Sequence, residues 1–123
     1  MYCVNDKEYN CSVSVTLDIF NDRWKLAVIW HLLDNPKRFK QLHEEINEIT
    51  QKTLTVKLKE LEAKNIINRK VFPEVPPKVV YSLTPMGKEL RAVVEEMYQW
   101  GIKYTQEYGK IIDTPCDITF MEK

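Results

Sequence analysis

Apolar residues in the first half of the chain recur at the spacing of amphipathic helices. The pattern predicts helices over residues 13–20, 24–33, 39–46 and 51–64. The second of these is apolar almost all round, which indicates a buried central helix. Ser12 and Thr50 are the predicted N-caps of the first and fourth helices, and Asn65 is expected to end the fourth.

After Asn65 the pattern changes from helical to extended. Strands are predicted over residues 66–72 and 79–83, and the prolines of the loop between them exclude a helix there. Thr84 followed by Pro85 is typical of a helix start, so a long helix is predicted over residues 85–108. We expect residues 1–10 to be a flexible segment, residues 11–112 to form one domain, and residues 113–123 to be a tail.

This order of elements predicts a mainly α fold with a small β-hairpin (α+β), namely a winged helix-turn-helix with a long C-terminal helix. In the fourth helix, Leu54, Leu58 and Leu61 form a narrow apolar stripe that would face the core. The opposite face is then free to enter the major groove of double-stranded DNA. The predicted base-reading residues are Gln51, Lys52, Thr53, Thr55 and Val56. Lys59 is expected to lie nearer to phosphate.

The charge balance tests this hypothesis, because DNA-binding domains are usually basic. The chain has 18 basic and 18 acidic residues, so its formal net charge is zero. However, basic residues gather before the third helix, along the fourth helix and around the predicted wing. Outside the fourth helix, the predicted DNA contacts are Arg38, Arg69 and Lys78. A net charge of zero therefore conceals a basic stripe, which phosphate binding requires.

Other classes of protein find less support in the sequence. No apolar run reaches the ~20 residues of a membrane span, and no signal peptide is expected. Three widely spaced cysteines favour reduced thiols and a cytoplasmic protein. No nucleophile–base pair or metal-ligand spacing is found, so no catalytic activity, cofactor or metal is predicted. The alternatives left open are a winged-helix module that binds protein instead of DNA, and a small enzyme.

From Cys11 to about Gly101 the chain resembles the HxlR family of bacterial winged-helix regulators. The matching motifs are Cys11, Thr16-Leu17-Asp18, Arg23-Trp24-Lys25-Leu26, Arg38-Phe39, Gln51-Lys52-x-Leu54-Thr55, Leu58-x-x-Leu61-Glu62 and Glu74-Val75-Pro76-Pro77-Lys78-Val79-x-Tyr81-Ser82-Leu83-Thr84-Pro85-x-Gly87. The last is the most specific, because a proline pair at a wing tip is uncommon.

The resemblance implies a homodimer built from the first and last helices, with its two recognition helices in successive major grooves of a pseudo-palindromic operator. An exposed apolar face on the last helix would be a liability in a monomer, which agrees with this interpretation. The predicted interface residues are Leu17, Phe20, Leu90, Val94, Met97 and Trp100.

The resemblance also points to Cys11, because several members of the family respond to oxidants, quinones or aldehydes through a cysteine at this place. Cys11 precedes a predicted helix N-terminus, where the helix dipole favours a thiolate. The hypothesis is that oxidation or alkylation of Cys11 alters the dimer and its DNA affinity. The alternative is a small residue that packs in the dimer interface. Cys3 and Cys116 are candidates for a resolving thiol, and a small-molecule effector is left open.

Overall fold

The computed structural model describes residues 1–112 of the chain. Helices and small antiparallel sheets alternate in it, which confirms the predicted α+β winged helix-turn-helix. The elements are β1 (Tyr2–Val4), β2 (Lys7–Tyr9), α1 (Ser12–Ile19), α2 (Arg23–Leu32), β3 (Lys37–Arg38), α3 (Phe39–Glu45), α4 (Gln51–Ala63), β4 (Ile67–Phe72), β5 (Lys78–Leu83), α5 (Pro85–Lys88) and α6 (Leu90–Tyr108). Within these residues, no helix has the length and apolar character needed to cross a bilayer.

The core forms where the central helix α2 meets the leucine stripe of α4. Val28 and Ile29 of α2 are fully buried, and so are the three leucines of α4. Asn65 ends α4 as predicted, in the left-handed conformation with φ 61°. The N–H of Ile66 donates to the carbonyl of Leu61 at 3.0 Å, so the chain reverses at once into β4. A short turn therefore joins α4 to the first strand of the wing.

The wing is part of a three-stranded antiparallel sheet, in the order β3-β5-β4. Of these strands, only the hairpin of β4 and β5 is predicted from the sequence. The additional strand β3 is formed by Lys37 and Arg38, which pair with Tyr81 and Val80 of β5. A strand of two residues is too short to show an alternating pattern, so only its pairing partner reveals it.

The first residues of the chain form a hairpin, whereas a segment without regular structure was expected. Asn5 and Asp6 make the turn, with φ of 49° and 64°, and both residue types tolerate this left-handed conformation. Tyr9 is buried, and its hydroxyl donates to Asp18 of α1 at 2.5 Å. Lys7 contacts the same carboxylate at 2.7 Å. The hairpin is thus fastened to α1 through Asp18, a long-range contact that local polarity does not predict.

The N-cap of α1 and the continuity of the predicted C-terminal helix differ from the predictions. Cys11, and not Ser12, is the N-cap of α1, and its side chain makes no capping hydrogen bond. The predicted C-terminal helix is divided into α5 and α6, because the N–H of Glu89 bonds to the carbonyl of Met86 and closes a tight turn. Thr84 caps α5 as predicted. The predicted tail lies outside the described residues.

Candidate DNA-binding surface

Helix α4 has one buried and one exposed face. Thr50 is its N-cap, as predicted, and accepts a hydrogen bond from the N–H of Thr53 at 3.1 Å. Burial of the three leucines turns the other side of the helix to solvent. Gln51, Lys52, Thr55, Val56 and Lys59 are exposed there, and Thr53 is half-buried. The structure thus brings the predicted base-reading residues together on one side of the helix, away from its buried leucines.

Two hydroxyls on this surface are already engaged within the helix. The hydroxyl of Thr55 donates to the carbonyl of Gln51 at 2.8 Å. The hydroxyl of Thr50 donates to that of Thr53 at 3.0 Å. Because Thr55 uses its only donor within the helix, the exposed side chains of Gln51 and Lys52 are the polar groups best placed to meet a base edge.

Lys57 lies apart from the exposed face of α4, although it is one of the basic residues along this helix. Its ammonium lies 2.9 Å from Asp22 at the start of α2 and 3.6 Å from Glu60. Beside them Lys25 is buried, 3.2 Å from the side-chain oxygen of Asn21 and 3.8 Å from Glu60. This charged cluster joins the N-terminus of α2 to the middle of α4 and therefore fixes the rotation of the recognition helix.

The protonation of the cluster follows from its contacts. Burial acts to raise the pKa of Asp22, but the N–H of Lys25 and the ammonium of Lys57 outweigh burial and hold that pKa below its ordinary value. The hydrogen bond to Asp22 raises the pKa of Lys57. Both groups are therefore charged at neutral pH, and the carboxylate of Asp22 balances the charge of Lys57.

The strand register divides the basic residues of the wing between the two faces of the sheet. Arg38 and Lys70 both lie opposite Val80, so they share one face with Phe72 and its partner Lys78. The ammonium groups of Lys70 and Lys78 lie 4.9 Å and 5.1 Å from the centre of the Phe72 ring.

Arg69 pairs with Tyr81 and lies on the other face. Lys37, next to Arg38, is paired with Glu45. The structure thus brings Arg38 and Lys78 together on one face and separates both from Arg69.

An open depression of about 510 Å³ lies where the start of α4 meets the start of α3. It is lined by Phe39, Gln51, Lys52, Thr55 and Val56. Phe39 packs against the core but is only half-buried, and its exposed part forms one wall of the depression. Only the tertiary structure shows that Phe39 adjoins the predicted base-reading residues.

The predicted interface residues fall into two groups. Leu17, Met97 and Trp100 are exposed, at 59%, 47% and 64%. Phe20 and Leu90 are half-buried and pack against the core of their own chain. Val94 was expected to be exposed on the last helix, which is wrong, because it is 1% exposed within the core.

Helix α6 therefore has two apolar faces, one for its own chain and one exposed. The exposed strip consists of Val93, Met97, Trp100 and Tyr104, at spacings of four, three and four residues. Trp100 and Tyr104 stack with their ring centroids 5.1 Å apart. Val93 and Tyr104 are not among the predicted interface residues, although this heptad spacing is a recognisable signal.

Cys3 and Cys11 are both exposed as free thiols, and Cys116 lies outside the described residues. Cys11 lies between β2 and α1, at the junction of the N-terminal hairpin with the first helix. Between residues 1 and 112, no three histidine, cysteine or acidic side chains are grouped so that they could hold a metal ion.

Comparison with known proteins agrees with this geometry. The model of the HxlR-like helix-turn-helix family matches residues 19–108. The chain belongs to this family. Its family and fold are those of DNA-binding transcriptional regulators, which are not enzymes.

Three relatives illustrate the similarity. The uncharacterized transcriptional regulator YdeP of Bacillus subtilis is 43% identical over 110 residues, which cover 89% of this chain and 85% of YdeP. The oxidized form of the redox regulator HypR has a TM-score of 0.71 and 40% identity, covering 83% of this chain and all of HypR. The reduced form of YodB from B. subtilis has a TM-score of 0.71 and 38% identity, covering 86% of this chain and all of YodB. YodB has also been solved with a bound quinone.

Proposed function

We propose that this family member acts as a homodimer in the cytoplasm, where the exposed face of α4 reads an operator in double-stranded DNA. The observation that carries the proposal is the division of α4 into buried leucines and a solvent-facing set that includes Lys52 and Lys59. A module that binds protein instead of DNA would need an acidic or apolar outer face on this helix. The two lysines favour phosphate and base edges instead.

The experiment measures binding to DNA selected from a random pool, over a series of salt concentrations. Lys59→Ala should lower the slope of log K against log salt by about 0.9 for each phosphate that the variant no longer neutralises, with little change in sequence preference. Lys52→Ala should cost about 1–3 kcal/mol and relax the preference at one position of each half-site. Lys88→Ala, an exposed lysine on α5, is the matched control and should leave the slope unchanged. Absence of binding even in dilute buffer would contradict the proposal.

The proposed dimer forms through the exposed strip of α6 together with α1. Val13 and Leu17 are one turn apart on α1 and exposed, and no residue of α1 is buried within its own chain. An isologous interface between two copies would cover both apolar surfaces at once. It would also place two copies of α4 symmetrically, which suits a pseudo-palindromic operator.

We further propose that Cys11 is the sensing thiol for an electrophilic or oxidising effector. Its exposure lets a reagent reach the sulfur. A quinone would form a bond between the Cys11 sulfur and a ring carbon, while the thiol proton passes to a quinone oxygen. The added group would lie at the junction of the hairpin and α1, beside the proposed interface. The redox regulator HypR and the quinone-bound form of YodB support this class of effector.

Operator binding is then measured before and after treatment with a quinone. Native protein should change its affinity, Cys11→Ser should not respond, and Cys3→Ser, a second exposed cysteine, should respond like the native protein. A full response from Cys11→Ser would show that another group senses the reagent.

A further inference from the structure

The depression between α3 and α4 brings apolar groups from both helices together at the surface. Phe39 forms one wall, and Val56, which is 44% exposed, lies on the recognition helix among the other lining residues. Thr55 is a third residue that lines the depression. A phenyl ring and an isopropyl group give this part of the DNA-facing surface an apolar lining, whereas the residues around it are polar or charged.

The hydrogen bond of Thr55 makes the lining more apolar than its composition indicates. The hydroxyl donates to the carbonyl of Gln51 at 2.8 Å, within the same helix. It is therefore not needed as a donor to a ligand, and the methyl group is what the side chain offers to a neighbour. The phenyl ring, the isopropyl group and this methyl group together define a site for a small apolar group.

Duplex DNA presents one such group in its major groove, the 5-methyl of thymine. We propose that Phe39, Thr55 and Val56 form a thymine-reading site, which takes this methyl group in each half-site of the operator. Gln51, also in the lining, suits the N6 and N7 edge of an adenine beside that thymine. Phe39 is then a specificity-determining residue supplied by α3 and not by the recognition helix. This inference rests on the proposed DNA-binding function and names the base pair that it reads.

The experiment removes the methyl group from the DNA without altering its base pairing. Deoxyuridine replaces thymine at each position of the selected operator in turn, and affinity is measured at one fixed salt concentration. At one thymine per half-site the native protein should lose about fourfold in affinity, the value of one buried methyl group. Deoxyuridine in the flanking DNA provides the control.

A double-mutant cycle then assigns the methyl contact to the protein. Val56→Ala should weaken binding to the thymine operator and reduce the deoxyuridine effect at that one position. Phe39→Leu should reduce the same effect. Val71→Ala makes the same chemical change at an exposed valine of β4 and should leave the deoxyuridine effect intact.

The outcomes separate this inference from the proposed function. Binding that is insensitive to deoxyuridine at every position, or equally sensitive in native protein and Val56→Ala, overturns the thymine site and leaves DNA binding standing. Failure to bind any DNA overturns the proposed function instead. Because Val56 is exposed, Val56→Ala should fold. The comparison of Val56→Ala with the native protein therefore tests the thymine-reading site even if Phe39→Leu does not fold.

Discussion

At the scale of single residues, Lys57 and Lys59 of α4 have different surroundings, although both are lysines of the same helix. Lys59 is exposed, whereas Lys57 is held by Asp22 at 2.9 Å. The two positions differ by about 200° around the helix, so the leucine stripe that turns Lys59 outward turns Lys57 towards α2. Lysine count alone therefore overstates the positive charge that α4 offers to DNA.

Lys57→Ala should lower stability without changing the salt dependence of DNA binding. The variant leaves the carboxylate of Asp22 partly buried with one partner fewer, which costs about 1 kcal/mol for a pair at the protein surface. Urea unfolding measures the loss, and the slope of log K against log salt should equal that of the native protein. A lower slope in Lys57→Ala would show that Lys57 contacts phosphate.

The same contact predicts a dependence of stability on pH. Because the pKa of Asp22 is lowered in the folded chain, its stabilising contribution is present above the ordinary aspartate value of about 3.9 and is lost as pH falls through the lowered value. Asp22→Asn keeps a side chain that can cap α2 but removes the ion pair. Unfolding at neutral and acid pH should therefore show a smaller loss of stability on acidification in Asp22→Asn than in the native protein. An equal loss would mean that Asp22 does not contribute to the pH dependence.

At the scale of elements, the contact between α5 and the start of β4 decides how the last helix leaves the wing. Gly87 is buried, and a Cβ atom there would lie 2.2 Å from the backbone oxygen of Ile66. Thr84 ties the same two segments together, since its hydroxyl donates to the carbonyl of Asn65 at 2.7 Å. Only a glycine allows the two backbones to approach so closely, and α6 starts from this fixed point.

Gly87→Ala should therefore destabilise the protein by about 1–3 kcal/mol, because backbone atoms cannot yield as a side chain can. Gly101→Ala is the matched control, since a Cβ there meets no atom within 4 Å. In the middle of a helix, this control should raise stability by up to about 1 kcal/mol. Thermal unfolding of both variants measures the difference, and equal stability of the two would contradict the close approach.

At the scale of the whole molecule, α6 has one face packed on its own chain and one apolar face left exposed. Its buried face holds Val94 in the core, while its exposed strip carries Trp100 and Tyr104 away from that core. Trp30 of α2 and Tyr98 of α6 lie with their rings 6.4 Å apart, which attaches the helix to its own domain. One helix can therefore be anchored in its own domain and also be available for the proposed partner.

Trp100→Glu should convert the proposed dimer to a monomer, because a carboxylate would have to be buried in its apolar interface. Sedimentation equilibrium measures the change, and operator affinity should fall with it, since each monomer reaches only one half-site. Gln99→Glu adds the same charge at the neighbouring exposed position and should remain dimeric. A dimeric Trp100→Glu with native affinity would place the interface elsewhere.

The features that the sequence alone determined are those with a local pattern. The leucine stripe of α4, the Asn65 stop and the Thr84-Pro85 start can be read from neighbouring residues, because helical periodicity and capping act within a few positions. With the wing prolines, they were sufficient for the fold class and for the surface of α4 that faces solvent, and short motifs from Cys11 to Gly87 indicated the family.

What only the tertiary structure decided are the contacts between residues far apart in the chain. The pairing of β3 with β5, the attachment of Tyr9 to Asp18, the burial of Val94 and the place of Phe39 beside Val56 all join separate elements. A helical pattern shows that a face is apolar, but not which neighbour covers it. The packing of elements decides that, since it alone brings distant side chains within contact distance.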